Sequence, residues 1–239
     1  MMKVEILFPE VCNLYGDLQN AHYLARCCAE IEVMETDLKT TPRFLNEEVA
    51  LVVLSSTTEQ GLRLAADALR PHREAIAAKI DAGQLFLATG NAVDILTESI
   101  ESDSADTIEG LGLLKGKARY KMLQRHNSYF VGTFEEDIEV VGFKSLFGHI
   151  HESGDAAPLF AHVKGVGRDG AEGTADGFRR GGLLATHLIG PLLILNPPLC
   201  KWLLRQMGAP DDLAFEEAAF DSYYQRLREF KEPNRGWKY

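Results

Sequence analysis

The sequence predicts a doubly wound α/β domain, and three observations carry that prediction. Short, largely apolar runs recur at Val4 to Phe8, Val49 to Leu54 and Gln84 to Ala88. Each ends in turn-prone residues, as strands buried on both faces of a parallel sheet do. Helical periodicity fills the intervals, so strand and helix alternate and the ligand crevice is expected beyond the carboxyl ends of the strands. The loops after Phe8, Leu54 and Ala88 should therefore converge.

Taken in order, the segment from Asp17 to Glu30 sets Leu18, Ala21, Leu24, Ala25 and Cys28 at helical spacing. Leu62, Ala65, Leu69, Ile76 and Ile80 form a second apolar face interrupted by Pro71, which starts a new helix after a break. From about Leu111 the pattern changes to shorter alternating runs at Tyr129 to Thr133, Glu139 to Phe143 and Leu159 to Val163, which read as antiparallel or mixed strands. Gly165 to Gly182 is rich in glycine and charge and has no apolar period, so it reads as a connecting loop, with a mobile substrate-facing loop as the alternative. Two helices follow, one around Trp202 to Leu204 and one within the acidic stretch from Asp211 to Phe230. No linker divides the chain, giving one domain over residues 1–230 and a tail over 231–239.

A chain of 239 residues with 46% hydrophobic and 25% charged residues supports one sizeable core. The longest apolar run, Leu188 to Leu199, is broken by Gly190, Pro191, Asn196 and two further prolines, too short and interrupted to cross a bilayer. The start lacks the apolar stretch of a signal peptide, so a cytoplasmic location is expected. A net charge of −10 disfavours nucleic acid and acidic membranes as partners. Cys12, Cys27, Cys28 and Cys200 show no zinc spacing and are expected to be reduced thiols. His149 and His151 would face the same way on a strand, but with His126 and His162 they supply no identifiable ligand set, so neither metal nor cofactor is expected.

Two segments carry specific patterns. Pro9 to Asn20 reads PEVCNLYGDLQN, and Gly182 to Leu204 contains Thr186, Leu188, Gly190, Pro191, Leu192, Leu193, Asn196 and Pro197 in a fixed arrangement. Either alone is readable as turn and cap chemistry, with Asp17 and Asn196 as helix caps. Together they resemble the class I glutamine amidotransferases of the cobyric-acid-synthase-like branch, most similar to the glutaminase subunit of lipid II isoglutaminyl synthase. Asn13, Tyr15, Gly16, Asp17 and Asn20 match the family's first crevice loop. Gly83 to Leu96 lies where the family has a strand, a sharp turn bearing cysteine, and a helix. The resemblance spans nearly the whole chain and implies a flavodoxin-like three-layer sandwich, mainly parallel, with antiparallel strands in the C-terminal half.

It also implies a chemistry whose residues are missing. Such enzymes attack the glutamine carboxamide with a cysteine thiolate on a strained turn, use a histidine to move protons and receive the oxyanion on backbone amides. Aligned on the family, Gly90 stands at the cysteine position and Ile189 at the histidine position, and Ser55 to Gln60 departs from the glycine-rich oxyanion loop. Loss of a nucleophile or its base costs about 10⁴ to 10⁶ in rate in a hydrolase. The resemblance therefore implies a non-catalytic or repurposed subunit that binds glutamine or a related amide. Tyr15, Asp17, Asn20, Glu59, Thr89, Asn91 and His187 are its candidate crevice residues, and a Mur-ligase-like synthetase its implied partner. The implied setting is cell-wall precursor or cobalamin-type amidation. The alternative is an active amidotransferase or hydrolase with an unconventional nucleophile, Cys12 paired with His187 or, less directly, Thr89.

Overall fold

A computed structural model describes residues 1–135 and 137–232, apart from the side chain of His162. The first half alternates as expected: β1 (Met2–Leu7), α1 (Gln19–Cys27), β2 (Ile31–Thr36), β3 (Leu51–Leu54), α2 (Glu59–Leu69), α3 (Arg73–Asp81), β4 (Phe86–Thr89) and the single turn α4 (Ala92–Ile95). Arg70 to His72 forms a 3₁₀ turn containing Pro71, so the apolar face breaks where the ring removes an N–H. Thr58 starts α2 by accepting a hydrogen bond from the Gly61 amide at 3.1 Å.

Short strands dominate the middle: β5 (Ser99–Ser102), β6 (Ile108–Glu109), β7 (Lys117–Tyr120), β8 (His126–Phe134), β9 (Ile138–Leu146), β10 (Gly148–His151) and β11 (Ala161–Lys164). The chain then returns through β12 (Phe178–Arg180) and β13 (Leu183–Thr186) and ends in α5 (Leu192–Leu195), α6 (Pro197–Gln206) and α7 (Glu216–Lys231). The expected tail thus begins with the last helical residue; residues 233–239 lie outside the described residues.

Three sheets result, in the orders β12-β13-β4-β3-β1-β2, β10-β7-β5-β6 and β11-β8-β9. In the main sheet every pairing is parallel except that of β12 with β13. Counting β13 as the fifth parallel strand, the order is 2-1-3-4-5, that of the flavodoxin-like sandwich. Alternate strand residues serve two cores, because successive side chains point to opposite faces. Val52, Leu54, Phe86, Ala88 and Ala185 pack with α2 and α3, whereas Val4, Ile6, Val53, Leu87 and Leu184 pack with α1 and α6. The second core continues into Phe130, Phe134 and Val140 of the antiparallel half.

Gly165 to Gly182 is a tied loop. The Arg168 amide is bonded to the Ala175 carbonyl, the Gly173 amide to the Gly165 carbonyl, and the last part pairs as β12. The Arg168 guanidinium stacks 4.6 Å over Phe178. Asn196 is not the side-chain cap its position suggests: it exchanges hydrogen bonds of 2.8 and 2.9 Å with the backbone of Val141, standing in for a strand neighbour of β9.

Candidate functional site

The loops after β1, β3 and β4 do converge. The Leu14 amide donates to the Ser56 carbonyl at 3.1 Å, and the Thr57 hydroxyl to the Val11 carbonyl at 2.7 Å. The Asn91 side chain accepts from the Thr57 amide at 2.9 Å and donates to the Thr57 carbonyl at 2.8 Å. That reciprocal pair replaces the helix cap expected of Asn91, which makes no cap bond. Between these loops and the antiparallel half lies a cavity of about 200 Å³, whose walls include Tyr15, Glu59, Gly90, Asn91, His187 and Ile189. Tyr15 is held at φ +59° and is 46% exposed, at the mouth.

The turn at Gly90 keeps the left-handed backbone of a strand-to-helix elbow, at φ +58°. A Cβ on Gly90 would fall 1.9 Å from Ser56 Oγ and 3.3 Å from Ile189 Cγ2. No side chain fits there while Ser56 keeps its place. Ser56 is fixed from below: its hydroxyl donates to Asp17 Oδ2 at 2.5 Å and its amide to the same oxygen at 3.3 Å, joined by the Thr89 hydroxyl at 2.9 Å. Asp17 is fully buried, and burial pushes its carboxyl up to about 6 against the pull of the Ser56 and Thr89 hydroxyls and the Ser56 and Gly190 amides. Its Oδ1 has no well-formed hydrogen bond.

A second network reaches the cavity from the other side. His187, just past β13, places Nε2 2.8 Å from Asp94 Oδ1, and the Tyr120 hydroxyl lies 2.5 Å from Asp94 Oδ2. All three are buried. Burial and the Asp94 charge raise Tyr120 well above the usual phenol range, so it remains a donor. The Asp94 carboxyl thus lies between an imidazole nitrogen and a phenol hydroxyl, and these two contacts fix the orientation of the His187 ring. The arrangement is an oriented imidazole–carboxyl pair in a buried wall.

The remaining candidates do not line the cavity. Cys12 is fully buried, and burial pushes its thiol up to about 12 despite a hydrogen bond with Thr57, with Glu10 adding to the rise. A thiol so held carries almost no thiolate at neutral pH. Thr89 spends its hydroxyl on Asp17, and Asn20 accepts from the Leu193 amide at 2.9 Å, tying α1 to α5. His126, His149 and His151 lie apart from this cavity; among the described residues, no three His, Cys, Asp or Glu side chains converge in an arrangement suited to a metal. Asp94 and Tyr120 are not among the residues the sequence predicts for the site. Asp94 interrupts the apolar run Ala92 to Leu96, a readable signal, whereas Tyr120 ends an alternating strand and gives none.

No family model matches the chain, and no curated protein is significantly similar to it. Solved structures are similar in fold. The structure of PurLQS from Thermotoga maritima is 16% identical with a TM-score of 0.56, covering 95% of this chain and 99% of that one. A structure described as a glutamine amidotransferase is 14% identical with a TM-score of 0.56, covering 86% of this chain and 99% of that one. The chain therefore has a glutamine amidotransferase-like α/β fold. No helix among the described residues is long and apolar enough to cross a membrane.

Proposed function

We propose that this chain, built on the glutamine amidotransferase fold, is a non-catalytic or repurposed member of the cobyric-acid-synthase-like branch that binds glutamine or a related amide. The observation that carries the reading is the Gly90 elbow, whose backbone is kept while Ser56 fills the space a nucleophile would need. Around it a cavity persists with Asn91, Glu59, Tyr15 and His187 on its walls, suited to a small polar ligand. The resemblance of Pro9 to Asn20 and Gly182 to Leu204 to the lipid II isoglutaminyl synthase glutaminase supports a synthetase partner related to the Mur ligases, in cell-wall precursor or cobalamin-type amidation.

The oriented His187–Asp94 pair favours a second reading, an active amidotransferase or hydrolase with an unconventional nucleophile. Cys12 is a poor choice for that role because its thiol is held protonated. Calorimetric titration with L-glutamine, together with an ammonia-release assay, separates the two. Binding without turnover is expected, weakened about tenfold in Tyr15→Ala by loss of ring contact at the mouth. Ammonia release that disappears in Cys12→Ala would remove the non-catalytic reading.

A further inference from the structure

The antiparallel half carries a second concavity, of about 540 Å³, that the reading above does not use. Its walls hold Arg119, Lys121, Arg125, His126, His149 and His151. The fold gathers these groups by register: β10 pairs antiparallel with β7, setting His149 opposite Arg119 and His151 opposite Lys117, while His126 packs its ring 5.3 Å from that of His149. The Gly165 to Gly182 loop closes one wall through Gly170, at φ +88°, where a Cβ would lie 3.0 Å from the His149 ring.

In a chain of net charge −10 this cluster of basic groups stands out, and part of it is unmatched. Arg119 is already paired with Glu101 and Glu152. Among the described residues Lys121 and Arg125 have no carboxylate partner; the Arg125 guanidinium only stacks, 4.5 Å over Phe147. The acid on the wall, Asp169, is engaged: burial works against its charge, but the Ala171 amide and Thr174 hydroxyl hold it below the usual range. Burial above all lowers half-buried His149 to about 4, with further contributions from His187, His126, Lys144 and His151.

We propose that this concavity binds a phosphate-bearing small molecule, with Lys121, Arg125 and the imidazoles of His149 and His151 as donors to its oxyanion. Four donor side chains around one concavity suit a group with three or more acceptor oxygens better than a carboxylate with two. Arg125 and Phe147 line both concavities, so the rest of such a ligand reaches toward His187; that extension alone rests on the amide-binding role proposed above.

The test is calorimetric titration of the full chain with pyrophosphate at low ionic strength, with glutamate and matched chloride as comparators. Saturable one-to-one binding of pyrophosphate is expected, weakened about tenfold by Arg125→Ala and by Lys121→Ala, the size of a lost charge-assisted contact. Both side chains are exposed, so unchanged melting curves are expected to show that the variants fold. In proton NMR the His149 ring should titrate at higher pH with pyrophosphate present. Binding no tighter than that of glutamate or chloride, or indifferent to both substitutions, overturns the proposal. Pyrophosphate heat without glutamine heat keeps this site and removes the crevice reading.

Discussion

Asp17 and Asp176 are both withdrawn from water, one beneath the crevice of the parallel sheet and the other where the antiparallel half meets it. Asp176 is neutralised by the Lys144 ammonium, itself 1% exposed and anchored to the Val166 carbonyl at 2.7 Å. Among the described residues no cation touches Asp17; hydroxyls and amides hold it, and its carboxyl sits at about 6. Asp176 faces a cation, whereas Asp17 is surrounded by neutral donors while burial raises its carboxyl, so the charge of Asp17 is left to the proton. The joint between the halves is thus held by an ion pair, and the floor of the crevice by a carboxyl whose charge changes near pH 6.

The largest effect should come from breaking the ion pair. Lys144→Met leaves Asp176 buried and uncompensated and is expected to cost about 3–5 kcal/mol in urea unfolding, much of it recovered in Lys144→Met/Asp176→Leu. A cost below about 1 kcal/mol would mean that the pair is not the joint described here.

Next comes the elbow above Asp17. Gly90→Ala meets Ser56 Oγ and a left-handed backbone together, for about 2–4 kcal/mol, and Gly90→Ala/Ser56→Gly should return the steric part. Failure of the second substitution to rescue would show that Ser56 is not what closes the position.

The smallest, and the most diagnostic, is the proton. Asp17 has a folded value of about 6 against an ordinary 3.8, so folding takes up a proton between them. Its contribution to stability is full below the unfolded value and is lost as pH rises through about 6, in all roughly 2–3 kcal/mol. In Asp17→Asn this component should vanish from the difference in unfolding free energy between pH 4 and pH 7.5. An unchanged pH profile would equate the two carboxylates after all.

The central strands were legible because strands buried on both faces write continuous apolar runs, as in Leu51 to Leu54. β2 escaped notice because it is half exposed and carries Glu32 and Glu35 among its apolar residues, and β12 because three residues inside a glycine-rich stretch set no period. The convergence of the three loops followed from topology. What stood behind the cavity did not: Asp17 and Asn196 look like caps in sequence, yet each side chain reaches a distant loop or strand. Local propensity cannot report a partner 39 or 55 residues away.

The main sheet ends differently on its two sides. On one side the chain reverses direction in β12; on the other, among the described residues, β2 bonds only to β1. That open flank presents Glu32 and Glu35 to solvent. A second copy laying its own β2 alongside would bring like charges together without a counterion, so these acids oppose edge-to-edge pairing of two copies through β2.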